Sequence, residues 1–137
     1  MILRNFTEPE VRFLDTVIGC AADNEHDKPG YESLEEAAQD LANHWEEHQE
    51  LRIWTGVHLQ VLENYVNCIG EEEIFDPEDV PPECITVKDG NSYWSEAATG
   101  RLMRMCKAIN YKAMAIARRY FDVVIPPGEQ DDIVESS

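Results

Sequence analysis

The chain has 137 residues, 43% of them hydrophobic, which is the size and composition of one globular domain and excludes a disordered chain. Its formal net charge of −17 excludes direct binding to nucleic acid and nonspecific binding to membrane surfaces. No apolar run approaches the length of a membrane span, and residues 1–6 show no signal-peptide pattern, so we expect a cytoplasmic protein.

The first predicted element is a helix that begins near Thr7 and carries apolar residues at helical spacing. Thr7 and Glu10 have the spacing of a capping box, in which each side chain accepts a hydrogen bond from the other residue's backbone N–H. Gly19 weakens the end of this helix, and residues 23–31 predict a loop because they contain a proline–glycine pair.

A second capping box, Ser33–Glu36, begins a helical pattern that continues to about Cys68 and ends near Gly70, a plausible helix cap. Two sets of apolar positions lie on nearly opposite faces of this pattern, Leu34, Ala38, Leu41 and Trp45 on one and Trp54, Val57, Val61, Leu62, Tyr65 and Ile69 on the other. Because a straight helix buries one stripe, we predict a break within residues 49–56. One long helix that packs different partners along its two halves is the alternative.

The segment of residues 71–89 is acidic and contains three prolines, so it cannot be a regular helix throughout. We predict a long acidic loop for this segment, with one short strand inside it at residues 84–88 and a turn at residues 89–91. Tyr93 and Trp94 come next, and they are either part of the core or an exposed aromatic anchor beside the loop.

The last predicted helix begins at Ser92 or Ser95 and runs to about Phe121, with a clean apolar stripe. The basic residues of this helix are Arg101, Arg104, Lys107, Lys112, Arg118 and Arg119. We expect them to pair with acidic helices of the same fold, and the alternative is that they face an acidic partner. The predicted fold is therefore mainly α, an irregular three- to four-helix bundle with a long acidic proline-containing loop before the last helix. Residues 1–125 form the single domain, and residues 126–137 are predicted to be a flexible acidic tail.

The four cysteines are widely scattered and form no C-x-x-C pair. This pattern favours buried free thiols in a reducing compartment over disulfides or a zinc knuckle. They are Cys20, Cys68, Cys84 and Cys106.

The string His44-Trp45-Glu46-Glu47-His48 places two histidines on one helix face, where they could chelate a metal ion. With Glu47 at its fourth position, the string resembles the H-x-x-E-H pattern of the inverted zinc peptidases. We favour the alternative, in which His44 and His48 lie at the edge of the buried stripe and form local hydrogen bonds. No metal and no other cofactor is therefore expected.

Two carboxylate strings suggest an enzyme as the second hypothesis. Residues 46–50 read E-E-x-x-E, and residues 73–76 read E-x-x-D. This order resembles the all-α nucleotide pyrophosphohydrolases of the MazG type, in which carboxylates on facing helices hold magnesium against a nucleotide triphosphate. The resemblance implies magnesium ligands at Glu46, Glu47, Glu50, Glu73 and Asp76. The alternative is a solvated acidic face followed by an acidic loop.

The charge distribution favours a binding protein over an enzyme. The first 90 residues hold 22 Asp and Glu against 5 Lys and Arg, and the net charge exceeds the roughly 2–8 that keeps a small domain soluble. Carboxylates on a rigid surface can imitate the phosphates of a duplex. The chain is similar in size and charge to phage and plasmid proteins that block restriction or CRISPR complexes, and to immunity proteins that neutralise basic nucleases.

We therefore predict a small inhibitor or adaptor that docks on a basic, nucleic-acid-handling macromolecule. The predicted contact residues are Glu36, Asp40, Glu46, Glu47, Glu50, Glu71, Glu72, Glu73, Asp76, Glu78 and Asp79. A homodimer is a further alternative, because the two-faced middle segment offers more apolar surface than one small bundle readily buries.

Overall fold

In the computed structural model, residues 1–25, 32–109 and 113–124 are described, and they form five α-helices and two small antiparallel sheets. In chain order the elements are β1 (Ile2–Arg4), α1 (Glu8–Glu25), α2 (Glu32–His48), β2 (Leu51–Arg52), α3 (Gly56–Glu71), two 3₁₀ turns (Pro77–Asp79 and Pro82–Cys84), β3 (Ile85–Lys88), β4 (Asn91–Trp94), α4 (Glu96–Ala108), α5 (Ala113–Tyr120) and β5 (Asp122–Val124). The predicted fold class, a mainly α irregular bundle, is confirmed.

The capping box at the start of α1 is present as predicted. The Thr7 N–H donates to Glu10 Oε1 at 2.8 Å, and the Glu10 N–H donates to Thr7 Oγ1 at 3.4 Å. Gly19 does not end the helix, which continues to Glu25, and residues 26–31 of the predicted loop lie outside the described residues. α1 packs against α2, α3 and α4, so its apolar face forms the centre of the core.

The predicted break between the second and third helices is confirmed, and the alternative of one long helix is wrong. α2 ends at His48, where the Gln49 N–H donates to Trp45 O at 2.8 Å and Gln49 takes a left-handed φ of 54°. Thr55 then caps α3, because its side-chain oxygen accepts a hydrogen bond from the backbone N–H of His58. The break rotates the chain, so that each helix turns its own apolar face to the core.

Two predicted helix boundaries are wrong by a residue or two. α2 begins one residue before Ser33, so Ser33 lies in the first turn and not at the cap. α3 runs one residue beyond Gly70, and its C-cap is Glu72. Gly70 serves instead as a point of close approach, since a Cβ there would lie 3.2 Å from Met103 Sδ.

The predicted strand and turn are confirmed, and they belong to a hairpin whose second strand was not predicted. Asp89 and Gly90 have φ values of 53° and 83°, which is the pattern of a type I′ turn between paired strands. Of the two predicted starts of the last helix, Ser95 is confirmed as the N-cap of α4 and Ser92 is wrong. The Ser95 hydroxyl donates to Glu83 O at 2.9 Å, and so it ties the helix start to the preceding loop.

The prediction of one continuous last helix is wrong. α4 ends at Ala108, and Ile109 has an extended backbone with ψ of 120°. α5 begins at Ala113, and residues 110–112 lie outside the described part of the chain. The apolar spacing continues through both helices because each packs against the core, and the periodicity alone therefore does not reveal the break.

A three-stranded antiparallel sheet, in the order β2-β1-β5, was not predicted from the sequence. Leu3 is fully buried at its centre and pairs with Leu51 on one side and Val123 on the other. Arg4 Nε lies 2.7 Å from Asp122 Oδ2 and adds an exposed ion pair across β1 and β5. The predicted tail at residues 126–137 lies beyond the described residues.

None of the four cysteines forms a disulfide, as predicted, but the expected burial is wrong for Cys68 and only partial for Cys20. Cys84 and Cys106 are buried, whereas Cys68 is exposed and its thiol donates to Glu72 Oε1 at 3.1 Å. Within residues 1–25, 32–109 and 113–124, no helix has both the length and the apolar character needed to cross a membrane.

Candidate functional site

The acidic segment that follows α3 is fixed to the fold by backbone pairing. Glu73 forms an isolated antiparallel bridge with Tyr93 of β4, and the Ile74 N–H donates to Ser92 O at 2.7 Å. Pro77 and Pro82 then start the two 3₁₀ turns. The six predicted contact residues of this segment are all exposed: Glu71, Glu72, Glu73, Asp76, Glu78 and Asp79. The segment therefore presents carboxylates from an ordered backbone.

A groove of about 450 Å³, called here the acidic groove, lies between this segment, α1, α3 and β4. Its apolar lining comes from Cys20, Ile69, Ile74, Val80 and Trp94. Its carboxylates are Glu72, Glu73, Asp76 and Asp79, and Thr16 and Phe75 complete the lining. The groove thus combines an apolar surface with charge of a single sign.

Phe75 is an exposed aromatic residue of this region, and its exposure was not predicted from the sequence. Its exposed fraction is 85%, although its neighbour Ile74 is half-buried. Trp94, considered earlier as an exposed anchor, is instead half-buried and packs edge-on against Phe13 with ring centroids 5.4 Å apart. Burial of a phenylalanine side chain contributes about 1.5–3 kcal/mol. A partner that covers Phe75 therefore gains more binding energy than one that covers Trp94, which is already half-buried.

A second acidic depression lies along α2. Glu36 and Asp40 line two adjoining hollows of about 360 Å³ and 210 Å³, and the smaller one also contains Trp54 and His58. Among the described residues, neither hollow shares a lining residue with the acidic groove. Glu36 and Asp40 on α2 therefore belong to a different surface from the four carboxylates of the acidic groove.

Asp40 is engaged in a hydrogen-bond chain with the buried His58, although its own side chain is 42% exposed. His58 Nε2 lies 3.4 Å from Asp40 Oδ2, and His58 Nδ1 lies 2.9 Å from Thr55 Oγ1. Burial lowers the pKa of His58 from its ordinary value, and this outweighs the opposing effect of Asp40. The neutral imidazole thus links the start of α3 to α2, which is a structural role.

The remaining predicted residues lie at the end of α2. Glu46 and Glu47 are exposed. His44 and His48 share a face, with ring centroids 4.6 Å apart, as their spacing implied. His44 Nε2 lies 3.3 Å from Glu50 Oε1, and His48 Nε2 lies 3.6 Å from Glu47 Oε2. Each histidine therefore contacts a nearby carboxylate.

The five carboxylates of the pyrophosphohydrolase hypothesis are not assembled into a metal site. All five are described, and across the described residues no three His, Cys, Asp or Glu side chains are grouped so that they could hold a metal ion. Glu73 and Asp76 belong to the acidic groove, and Asp76 precedes a 3₁₀ turn and is not within a helix. The resemblance implies an E-x-x-D string within a helix, whereas in this chain Pro77 follows the string directly and starts that turn.

Internal pairing of the basic residues is confirmed for Arg101. Its guanidinium donates to both carboxylate oxygens of Glu10, with Nε 2.9 Å from Oε2, and it also donates to Tyr120 O at 2.6 Å. Glu10 is almost fully buried, so the pair ties α1 to α4 and to the end of α5. Arg104 lies over the Tyr120 ring at 5.9 Å.

Three other basic residues, Lys107, Arg118 and Arg119, are exposed, and Lys112 lies outside the described residues.

The chain has no match among protein-family models, curated proteins or solved structures.

Proposed function

We propose that this protein is a small acidic binding protein, and not an enzyme, that docks through the acidic groove on a basic surface of another macromolecule. A nucleic-acid-handling protein is the expected partner, and inhibition of that partner in the cytoplasm is the expected effect. The observation that carries the proposal is Phe75, which is 85% exposed among exposed carboxylates at the rim of a partly apolar groove.

Electrostatics supports the choice of a basic partner. A surface with a strong single-sign field speeds encounters with the opposite charge by about 10- to 1,000-fold at low salt. The carboxylates of the acidic groove are exposed, and the net charge of −17 adds to their field at long range. A site that normally binds the phosphates of nucleic acid carries the Lys and Arg side chains that such a field attracts.

Pre-organisation supports docking by the segment itself. Residues 73 and 74 are held on β4 by backbone pairing, and two 3₁₀ turns follow them. A segment that is already ordered loses less conformational entropy on binding than a free loop does. Glu72 is also held, because it accepts a hydrogen bond from the Cys68 thiol.

The experiment is a rate measurement with a partner captured from the native host and then purified. The double variant Asp76→Lys/Asp79→Lys reverses two charges of the groove, and the control Glu46→Lys/Glu47→Lys makes the same change of net charge on α2. We expect the groove variant to slow association by about tenfold or more, with a much smaller effect on dissociation, and the control to have a clearly smaller effect.

Ionic strength provides the second measurement. Between about 0.05 and about 0.5 M salt the affinity should fall steeply, because the Debye length shortens from more than 10 Å to less than 5 Å. An affinity that is the same at both ends of this range rejects the electrostatic mechanism. Equal effects of the two double variants reject the assignment to the acidic groove.

A further inference from the structure

We propose that the occupant of the acidic groove is a basic amphipathic segment of a protein, in which large apolar residues are flanked by lysine or arginine. This inference rests on the proposed function and adds the chemistry of the contact. It differs from pure imitation of nucleic acid, which requires carboxylates but neither an exposed aromatic ring nor an apolar groove.

The groove itself selects a cation with an apolar stem. Its lining contains Ile69, Val80 and Trp94, its charged groups are all carboxylates, and no described lysine or arginine lines it. Lysine and arginine bury their methylene stems on apolar surface while the charged ends stay near water. A volume of about 450 Å³ is within the range of pockets that hold several groups at once.

Cys20 belongs to the apolar part of this lining. Burial, together with the negative charges of Glu72 and Asp23, raises the pKa of the Cys20 thiol. The thiol therefore stays protonated at neutral pH and behaves as a small apolar group. It adds contact area for an aliphatic stem.

Phe75 requires an apolar partner. The ring is 85% exposed at the groove, next to carboxylates that attract cations. A cation alone would leave most of that ring in water, whereas a leucine-sized side chain next to the cation would cover it. A basic amphipathic helix carries both groups, because lysine or arginine residues flank the edges of its apolar face.

Binding is tested with two synthetic probes of equal charge, a helix-forming peptide of lysine and leucine and an oligolysine. The variant is Phe75→Ser, and the matched control is Val87→Ser. Val87 is the other exposed large hydrophobic residue of the described chain, at 66%, and it does not line the groove. Both substitutions remove an exposed side chain and leave the core unchanged.

We expect the lysine–leucine peptide to bind more tightly than oligolysine. Phe75→Ser should weaken binding of that peptide by about tenfold or more, and Val87→Ser by less than about twofold. The affinity for oligolysine should be the same for both variants. In NMR spectra the indole N–H signal of Trp94 should shift on binding, while that of Trp45, which is buried and bonded to Asp15, should not.

Three results would overturn the inference. The first is equal affinity of the two probes, and the second is an equal effect of Phe75→Ser and Val87→Ser. The third is a Trp94 shift that depends on protein concentration without any peptide, since a second copy of the chain would then occupy the groove. In the first two cases, salt-dependent binding of both probes would leave the proposed function intact. Absence of salt-dependent binding to either probe would count against the proposed function itself.

Discussion

Replacement of Arg101 by alanine should strongly destabilise the fold. The guanidinium satisfies both carboxylate oxygens of Glu10, whose side chain is only 2% exposed. Removing one partner of a buried pair leaves an uncompensated charge and costs about 3–5 kcal/mol. The Arg101 side chain is 33% exposed, so water can reach part of the vacated space. We therefore expect the lower part of that range, about 3–4 kcal/mol.

Urea denaturation followed by circular dichroism measures this loss. Arg4→Ala is the control, because Arg4 also forms an arginine–carboxylate pair, with Asp122, but both of its side chains are exposed, at 46% and 44%. An exposed pair contributes about 0–1 kcal/mol, so this variant should unfold at nearly the wild-type urea concentration. If Arg101→Ala and Arg4→Ala lose equal stability, burial of the Glu10 carboxylate does not set the cost, and the reasoning is refuted.

Two further predictions concern pH. Burial raises the pKa of the Cys106 thiol to about 12, so its neutral form stabilises the fold fully below pH 9.0, and this contribution is lost as the pH rises toward 12. The loss reaches about 1.4 kcal/mol near pH 10, and Cys106→Ala should unfold with a shallower alkaline dependence than Cys68→Ala. An identical slope for both variants would contradict this. Burial lowers the pKa of His58 below its ordinary 6.5, so the unfolded chain takes up a proton first and stability should fall as the pH drops below 6.5. Urea titrations at pH 5 and 7 should show this loss in the wild type but a smaller one in His58→Gln.

Local signals in the sequence predicted much of the helical framework. The Thr7–Glu10 capping box and the break before Thr55 each depend on contacts within a few residues. The three-stranded sheet has no such signal, because its strands are two or three residues long and too short for an alternating pattern. Its pairing is also remote, since Arg4 and Asp122 are 118 residues apart.

The candidate site was predicted only in part, because its assembly also depends on pairing between segments that are not adjacent in the sequence. Composition and charge identified the carboxylates of residues 71–79, but they gave no indication that residues 73 and 74 pair with β4. Phe75 was missed because exposure of an aromatic ring depends on how the surrounding chain folds. A usable signal was present, since Phe75 lies between Glu73 and Pro77 in a segment without apolar periodicity. The partition of the carboxylates into two surfaces required the packing of α2 against α3.

The position of β1 in the middle of its sheet constrains when the molecule can complete folding during synthesis. β1 is the first strand made, yet one of its two neighbours is β5, the last strand in the described chain. While the ribosome extends the chain, the edge of β1 that β5 will cover has no partner, although the other edge can already pair with β2. Distant pairings of this kind slow folding. The helices can therefore form early, and closure of the sheet is expected as a late step, once β5 has been made.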